Sequence, residues 1–307
     1  MATKRPAEQT VKGTRPRDTG RSAGLDRASP RWPAEGMATR VLAGAWGGVE
    51  LTTATYRMHR FPMHSHPETH IALVERGRYA FQRGGLSHVA RTGDLVVMGP
   101  DDPHDGQAVD PDGYSYLQVL IPPALWSQIT PEACGSHQWP SAPVLRSPVL
   151  ARLIRRIFSA ADAGGEPLDS ALSQLTSQTV THAEGGKCQH RAQSHLLRYA
   201  QDIMQAKFSE PLTLAHVSEA TGVDRFLLYR MFRQSYGVGP HEWLVSLRLR
   251  HARRWLSAGT PPAEVSSRCG FADQSHLTRC FKKHYGITPG AFLRSCTFVQ
   301  DRPNPHR

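Results

Sequence analysis

From His59 to His70 the chain reads H-R-F-P-M-H-S-H-P-E-T-H. Imidazoles at alternate positions of an extended segment, as at His64 and His66, point to one side. Neutral imidazole can ligate zinc, iron or copper, or line a hydrogen-bonding pocket. A second set of reactive side chains recurs on two equivalent stretches: Arg225, Phe226, Tyr229, Arg230 and Arg233, then Gln274, Ser275, His276, Thr278, Arg279, Lys282 and Lys283. Their chemistry suits a major groove. Arg bonds guanine bidentately, Gln bonds adenine, and Phe or Tyr contacts a thymine methyl. Motifs for catalysis are missing: there is no P-loop, G-x-S-x-G, H-E-x-x-H or dinucleotide fingerprint, and Asp101-Asp102 reads as a turn former. The chain is therefore read as a non-enzyme.

Composition bounds what positions these residues. A length of 307 residues, 39% hydrophobic and 21% charged, describes a globular α+β protein of two domains. It has no apolar run long enough for a membrane span and no secretory leader, so a cytoplasmic location with no membrane partner is expected. Cys134, Cys188, Cys269, Cys280 and Cys296 are odd in number and form no C-x-x-C pair, which reads as reduced thiols. The net charge of +11 divides into +5 over residues 1–40, −2 over 41–194 and +8 over 195–307. A basic, helix-patterned final third favours contact with nucleic acid.

Residues 1–36 are polar, show no apolar period and read as a disordered basic tail. Short β-type runs follow at Val49–Tyr56, Thr69–Glu75, Gly77–Gln82, Ser87–Ala90, Asp94–Met98 and Tyr114–Leu120, a spacing that suggests a small barrel or jelly roll over 37–145. Helical periodicity then places Val149, Leu150, Leu153, Ile154, Ile157 and Phe158 on one face opposite Arg152, Arg155 and Arg156, with a weaker helix over Leu168–Thr181. The helices at 146–183 are assigned to dimerisation, 184–194 to a linker, 195–296 to an all-α domain and 297–307 to a disordered tail.

Within the all-α region lies an internal repeat. Val217, Ser218, Gly222, Leu228, Arg230, Phe232, Tyr236, Gly237, Pro240 and Trp243 match Val265, Ser266, Gly270, Leu277, Arg279, Phe281, Tyr285, Gly286, Pro289 and Phe292, offset by 48 residues before the turn and 49 after it. Each copy predicts a helix-turn-helix, at about 212–234 and 261–284. A small Ser permits close helix approach, Gly222 or Gly270 takes the left-handed turn, and Asp224 or Asp273 caps the second helix. Leu228 with Phe232, and Leu277 with Phe281, face the core at i, i+4; Trp243 and Phe292 are core too. The polar sets named above must then face outward.

The repeat from Leu196 to Arg294, with its endings Gly237-Val238-Gly239-Pro240 and Gly286-Ile287-Thr288-Pro289, resembles the DNA-binding domain of the AraC/XylS family of transcription regulators. That resemblance implies two helix-turn-helix units joined by a central helix over Pro240–Ser257, with recognition helices in successive major-groove segments roughly 34 Å apart. The family's base-reading positions fall on Phe226, Tyr229 and Arg230, and on Gln274, Ser275, Thr278 and Arg279. Phe226 and Tyr229 depart from the family's more polar usage, so the second unit carries more of the specificity. In the β-region, His64, His66 and His70 before Gly77 resemble the first cupin motif, with His70 where a glutamate is expected. Gly93-Asp94 through Pro103-His104 resembles the second. The resemblance implies a cupin-like sensor whose His64, His66, His70 and His104 line an effector pocket, with no metal or cofactor assigned.

The reading that follows is a ligand-responsive regulator, probing double-stranded promoter DNA as a homodimer and activating transcription, with RNA polymerase as a further contact. Two rivals stand beside it. A metal-dependent cupin enzyme fused to a DNA-binding domain rests on the four histidines alone, and a nucleoid-type protein rests on charge alone.

Overall fold

The computed structural model describes residues 32–129, 140, 142–163, 167–182 and 195–299. Among the described residues, nine strands and three α-helices form the first half: β1 Gly36–Leu42, β2 Glu50–Tyr56, β3 Arg60–His64, β4 Thr69–Arg83, β5 Leu86–Arg91, β6 Leu95–Met98, β7 His104–Ala108, β8 Tyr114–Ile121, α1 Pro123–Ile129, β9 Val144–Leu145, α2 Pro148–Ala163 and α3 Pro167–Thr181. The second half holds α4 His195–Ala206, α5 Leu214–Thr221, α6 Arg225–Tyr236, α7 Pro240–Ser257, α8 Pro262–Arg268, α9 Gln274–Tyr285 and α10 Pro289–Ser295, and ends in strand β10, Cys296–Val299. The expected α+β class, with a curled cupin-like sheet followed by an all-α helix-turn-helix domain, is the one observed.

The main sheet runs β10-β1-β2-β8-β4-β6-β9, and β3, β7 and β5 close the second layer against β4. Period-two alternation splits its two faces. Leu51, Ile71, Leu73, Leu95, Val97, Leu117 and Val119 point to one side and share a core with Leu150, Ile154, Ile157 and Phe158 of α2 and Leu172 and Leu175 of α3. The alternate residues His70, Ala72, Val74, Val96, Tyr116, Gln118 and Leu120 point to the other side and line a cavity. The apolar face of α2 is thus turned inward, and its outer side carries Arg155, which holds Glu75 through two bonds of 2.6 and 3.1 Å.

Several expectations need correction. The runs 69–75 and 77–82 are one strand, β4, which passes Gly77 with a register shift between Val74 and Arg76 against β8. Gly77 adopts φ +72°, and a Cβ there would stand 2.1 Å from the carbonyl oxygen of Gly113, so glycine lets the strand bend without ending. Strands β1, β3, β7, β9 and β10 were not foreseen. They are short or interrupted by Pro62 and Gly106, and their residues show little alternation. Gly36, expected in a disordered tail, begins β1. Thr297–Val299, likewise expected in a tail, belong to β10, which pairs in parallel with β1 from Thr39↔Cys296 to Leu42↔Val299. Trp32 packs against the first core, with the Arg76 guanidinium 5.8 Å from its ring. Residues 1–31, the expected linker 184–194, Cys134, Cys188 and 300–307 lie outside the described residues.

The repeat folds as read. Gly222 and Gly270 adopt φ +65° and +71°. The Asp224 side chain accepts from the backbone N–H of Phe226 and Leu227, and that of Asp273 from His276. Leu228, Phe232, Leu277, Phe281, Trp243 and Phe292 are buried. Cys269, Cys280 and Cys296 are free thiols.

Candidate DNA interface and interdomain cavity

Two surfaces carry the chemistry. On α6, the side chains of Arg225, Phe226, Tyr229, Arg230 and Arg233 are exposed, Phe226 at 79%. On α9, Gln274, Ser275, Arg279, Lys282 and Lys283 are exposed, while His276 and Thr278 are half-buried. His276 is committed locally, because its Nδ1 faces the backbone N–H of Ala272 at 3.4 Å and its ring meets Phe271 edge-on. The Thr278 hydroxyl donates to the carbonyl of Gln274 at 2.8 Å. Arg279, Lys282 and Lys283 also share a groove with His59 and Arg60 of the sensor, so positive charge from both halves meets there.

The second surface is a cavity walled by both halves of the chain. Sensor strands contribute Glu50, Phe61, His64, His70, Tyr79, His104, Tyr114 and Tyr116; helix α7 contributes Arg250, Arg253 and Arg254; and α9 contributes His284 and Tyr285. Contacts across this seam are specific. Arg253 ion-pairs with Glu50, both largely buried, and its guanidinium lies 5.5 Å from the rings of Tyr285 and Phe292. The Tyr56 hydroxyl donates to the carbonyl of Tyr285 at 2.8 Å, and Arg250 donates to the carbonyl of Ser65 at 3.4 Å. Burial pushes the Glu50 carboxyl up, partly offset by Arg253. Burial also lifts the Tyr56 and Tyr114 phenols well above their usual range, keeping them neutral.

All four sensor histidines named from sequence reach this cavity. His64 on β3 stands directly opposite His104 on β7, with ring centroids 4.4 Å apart. His66, in the turn after β3, is 5.1 Å from His104 and 5.5 Å from His70. The turn at Asp101-Asp102 sets His104: Asp101 takes φ +58° and donates its N–H to the His66 carbonyl at 2.7 Å, while Asp102 is held by Arg83. Burial pulls His64, His66 and His104 down to about 3, with neighbouring imidazoles adding to the shift, so all three are neutral. Burial also holds His70 and His284 well below the usual histidine range.

Sequence reasoning missed the wall given by the helical half. Arg250, Arg253 and Arg254 fall at i, i+3 and i+4 of the central helix, a stripe that marks a charged face needing a partner. His284, only 8% exposed, sits amid the basic residues of α9 with nothing in the pattern to separate it from them.

A curled sensor sheet joined to two helix-turn-helix units, with a cavity between them, defines a ligand-binding, DNA-binding regulator. The comparisons agree. A family model described as an AraC-like ligand binding domain matches residues 47–199, and one described as a helix-turn-helix domain matches 217–295. The chain belongs to the AraC family of transcription regulators. It is 24% identical over 226 residues to the uncharacterized regulator YbfI of Bacillus subtilis, covering 72% of this chain and 82% of that one. Against the transcriptional activator RhaS of Escherichia fergusonii the identity is 22%, with 75% and 86% covered. Against the arabinose operon regulatory protein of Salmonella typhimurium it is 25%, with 73% and 83% covered. Among solved structures, ToxT from Vibrio cholerae shares the fold at a TM-score of 0.56 and 12% identity, covering 80% of this chain and 99% of ToxT. ToxT with an unsaturated fatty acid bound gives 0.56 at 11%, covering 85% and 95%. Among the described residues no helix is long and apolar enough to cross a membrane.

Proposed function

We propose that this AraC-type regulator reads promoter DNA with the exposed faces of α6 and α9, and that a small molecule held in the interdomain cavity sets how well it does so. The observation that supports this most directly is the composition of the cavity, whose walls come from the sensor strands and from helices α7 and α9 together. A ligand touching both walls has different affinities for docked and undocked arrangements, which is what coupling requires. Arg250 and the apolar sheet face suit a small molecule with an anionic head and an apolar body, in keeping with the fatty acid bound by ToxT. In this reading His64, His66, His70 and His104 line the effector site, and the cavity binds without catalysing.

The remaining assignments belong to the same proposal. Arg225, Phe226, Tyr229, Arg230 and Arg233 contact one groove segment, and Gln274, Ser275, His276, Thr278, Arg279, Lys282 and Lys283 the next. The regulator works in the cytoplasm as a homodimer that activates transcription and contacts RNA polymerase. Because the apolar face of α2 is buried in its own sensor, a second copy meets the outer side of the α2–α3 pair.

Selection of bound fragments from sheared genomic DNA at about 150 mM salt tests the proposal, since that level suppresses purely electrostatic binding. Enrichment of fragments with two sequence blocks one helical turn apart is expected, with affinity shifting when compounds made by the adjacent genes are added. Uniform recovery of all fragments would instead favour binding by charge alone.

A further inference from the structure

We propose that the Nε2 atoms of His64, His66 and His104 form a binding site for a divalent first-row transition metal, set in the interdomain cavity against recognition helix α9.

Tautomer geometry is the first ground. The Nδ1 of His64 lies 2.8 Å from the carbonyl oxygen of Pro62, that of His66 3.0 Å from Glu68, and that of His104 2.8 Å from Asp102. A carbonyl oxygen only accepts, so each Nδ1 carries the hydrogen and donates it. Each Nε2 is then left with its lone pair outward. Three separate imidazoles held this way by backbone carbonyls reproduce the outer support that metal-ligating histidines have.

Convergence is the second ground. One ring nitrogen from each of the three lies within 4.8 Å of the others. A tetrahedral ion at about 2.0–2.1 Å from each nitrogen needs them about 3.4 Å apart, an adjustment within reach of side-chain rotation. Burial keeps all three rings neutral, the form that binds metal. Beside them, the two buried ring nitrogens of half-buried His70 lack any hydrogen-bond partner, and its ring centroid is 5.5 Å from that of His66 and 6.1 Å from that of His104.

The donor set selects the ion. Three imidazoles without carboxylate or thiolate suit zinc, iron, cobalt, nickel or copper and not magnesium or calcium. The sequence reading assigned no metal because His70 occupies the place of a glutamate ligand; the triplet is complete without that position. Three nitrogens leave a coordination position open, and the neighbouring Arg250 makes an anionic oxygen its complement. That last step rests on the effector reading above; the metal site does not. The location also differs from an isolated sensor site. The ring of His284, from the DNA-binding helix α9, lies 4.8 Å from His64 in T-shaped contact, so a metal that fixes the His64 ring fixes a surface α9 packs on.

The test uses untagged full-length protein, stripped by a chelator and titrated with cobalt(II). Saturation near one equivalent is expected, with a visible ligand-field band that zinc displaces. His66→Ala and the volume-keeping His66→Gln should each weaken cobalt binding at least tenfold, whereas His182→Ala, at an exposed position just past α3, should leave it unchanged. His284→Gln should keep the metal and reduce its effect on DNA affinity. Folding of each variant is checked by its denaturation midpoint, and the pair at His66 separates a lost ligand from a damaged fold. Failure of stripped, folded wild type to bind cobalt, or unchanged binding by both His66→Gln and His104→Gln, overturns the site. DNA selection in metal-free buffer is read separately, so loss of the metal site and loss of the regulator reading give different results.

Discussion

The two helix-turn-helix units are copies in sequence and opposites in tertiary setting. The first has a core of its own: Leu197, Val217, Leu228, Phe232, Tyr236 and Trp243 pack together, and among sensor side chains Met63 joins them. The core of the second unit is continuous with the sensor. Leu277, Phe281, Tyr285 and Phe292 share one cluster with Met37, Ala54, Tyr56 and Tyr114. Their outward faces differ as well, with Phe226, Leu227 and Tyr229 exposed on α6 and polar or basic residues on α9. The first unit thus packs mainly on itself, whereas α9 of the second, unlike α6 among the described residues, is built into the cavity wall.

The largest test of that contrast is Arg253→Met. Removing one partner of a buried pair strands Glu50, at a cost of about 3–5 kcal/mol, and denaturant unfolding should show it. Arg230→Ala on the exposed face of α6 should change stability by less than about 0.5 kcal/mol. Equal effects would erase the distinction.

Next in size are the left-handed glycines. A Cβ on Gly286, at φ +77°, would stand 2.6 Å from the Tyr56 ring, whereas around Gly222, at φ +65°, there is open space. Gly222→Ala should cost about 1–2 kcal/mol for backbone conformation alone. Gly286→Ala should cost more than that and should also loosen the sensor, read as faster hydrogen exchange in β2.

Base readout comes third. Arg279→Ala should lose about 1–3 kcal/mol on the preferred site and much less on random DNA. Phe226→Ala should show a smaller loss, confined to one block of the site.

Acidification gives the finest comparison. His104, 2% exposed, has its folded pKa lowered from 6.5 to about 3. The unfolded chain takes up this proton below about pH 6.5 and the folded one does not. Its contribution is complete above pH 6.5 and is lost as pH falls toward 3, by at most about 1.4 kcal/mol per pH unit. Protection of α9 amides should therefore fall at a higher pH than protection of α6 amides.

Features set by residues close in the chain were legible beforehand. The αL glycines, the Asp caps, the i, i+4 core pairs and the bounds of α7 at Pro240 and Ser257 follow from local sterics and helical period, and the structure places them as read. His64 and His66 could be singled out by their alternate spacing, although His64 ends β3 and His66 lies in the turn that follows it. The strands β1 and β10 could not, because a four-residue strand such as Cys296–Val299 exists only through the partner that satisfies its backbone.

The sequence by itself determined the class of fold, the repeat, the two outward-facing sets of α6 and α9 and the histidines of the sensor. Only the tertiary structure decided that α7 and α9 close the cavity, that Arg253 meets Glu50, that His284 reaches His64, and that the apolar face of α2 is used within its own chain. The physical reason is range. Periodicity and capping are fixed within one or two turns, whereas Glu50 and Arg253 lie some two hundred residues apart and meet only because two apolar surfaces gain more by fusing into one core than by facing water.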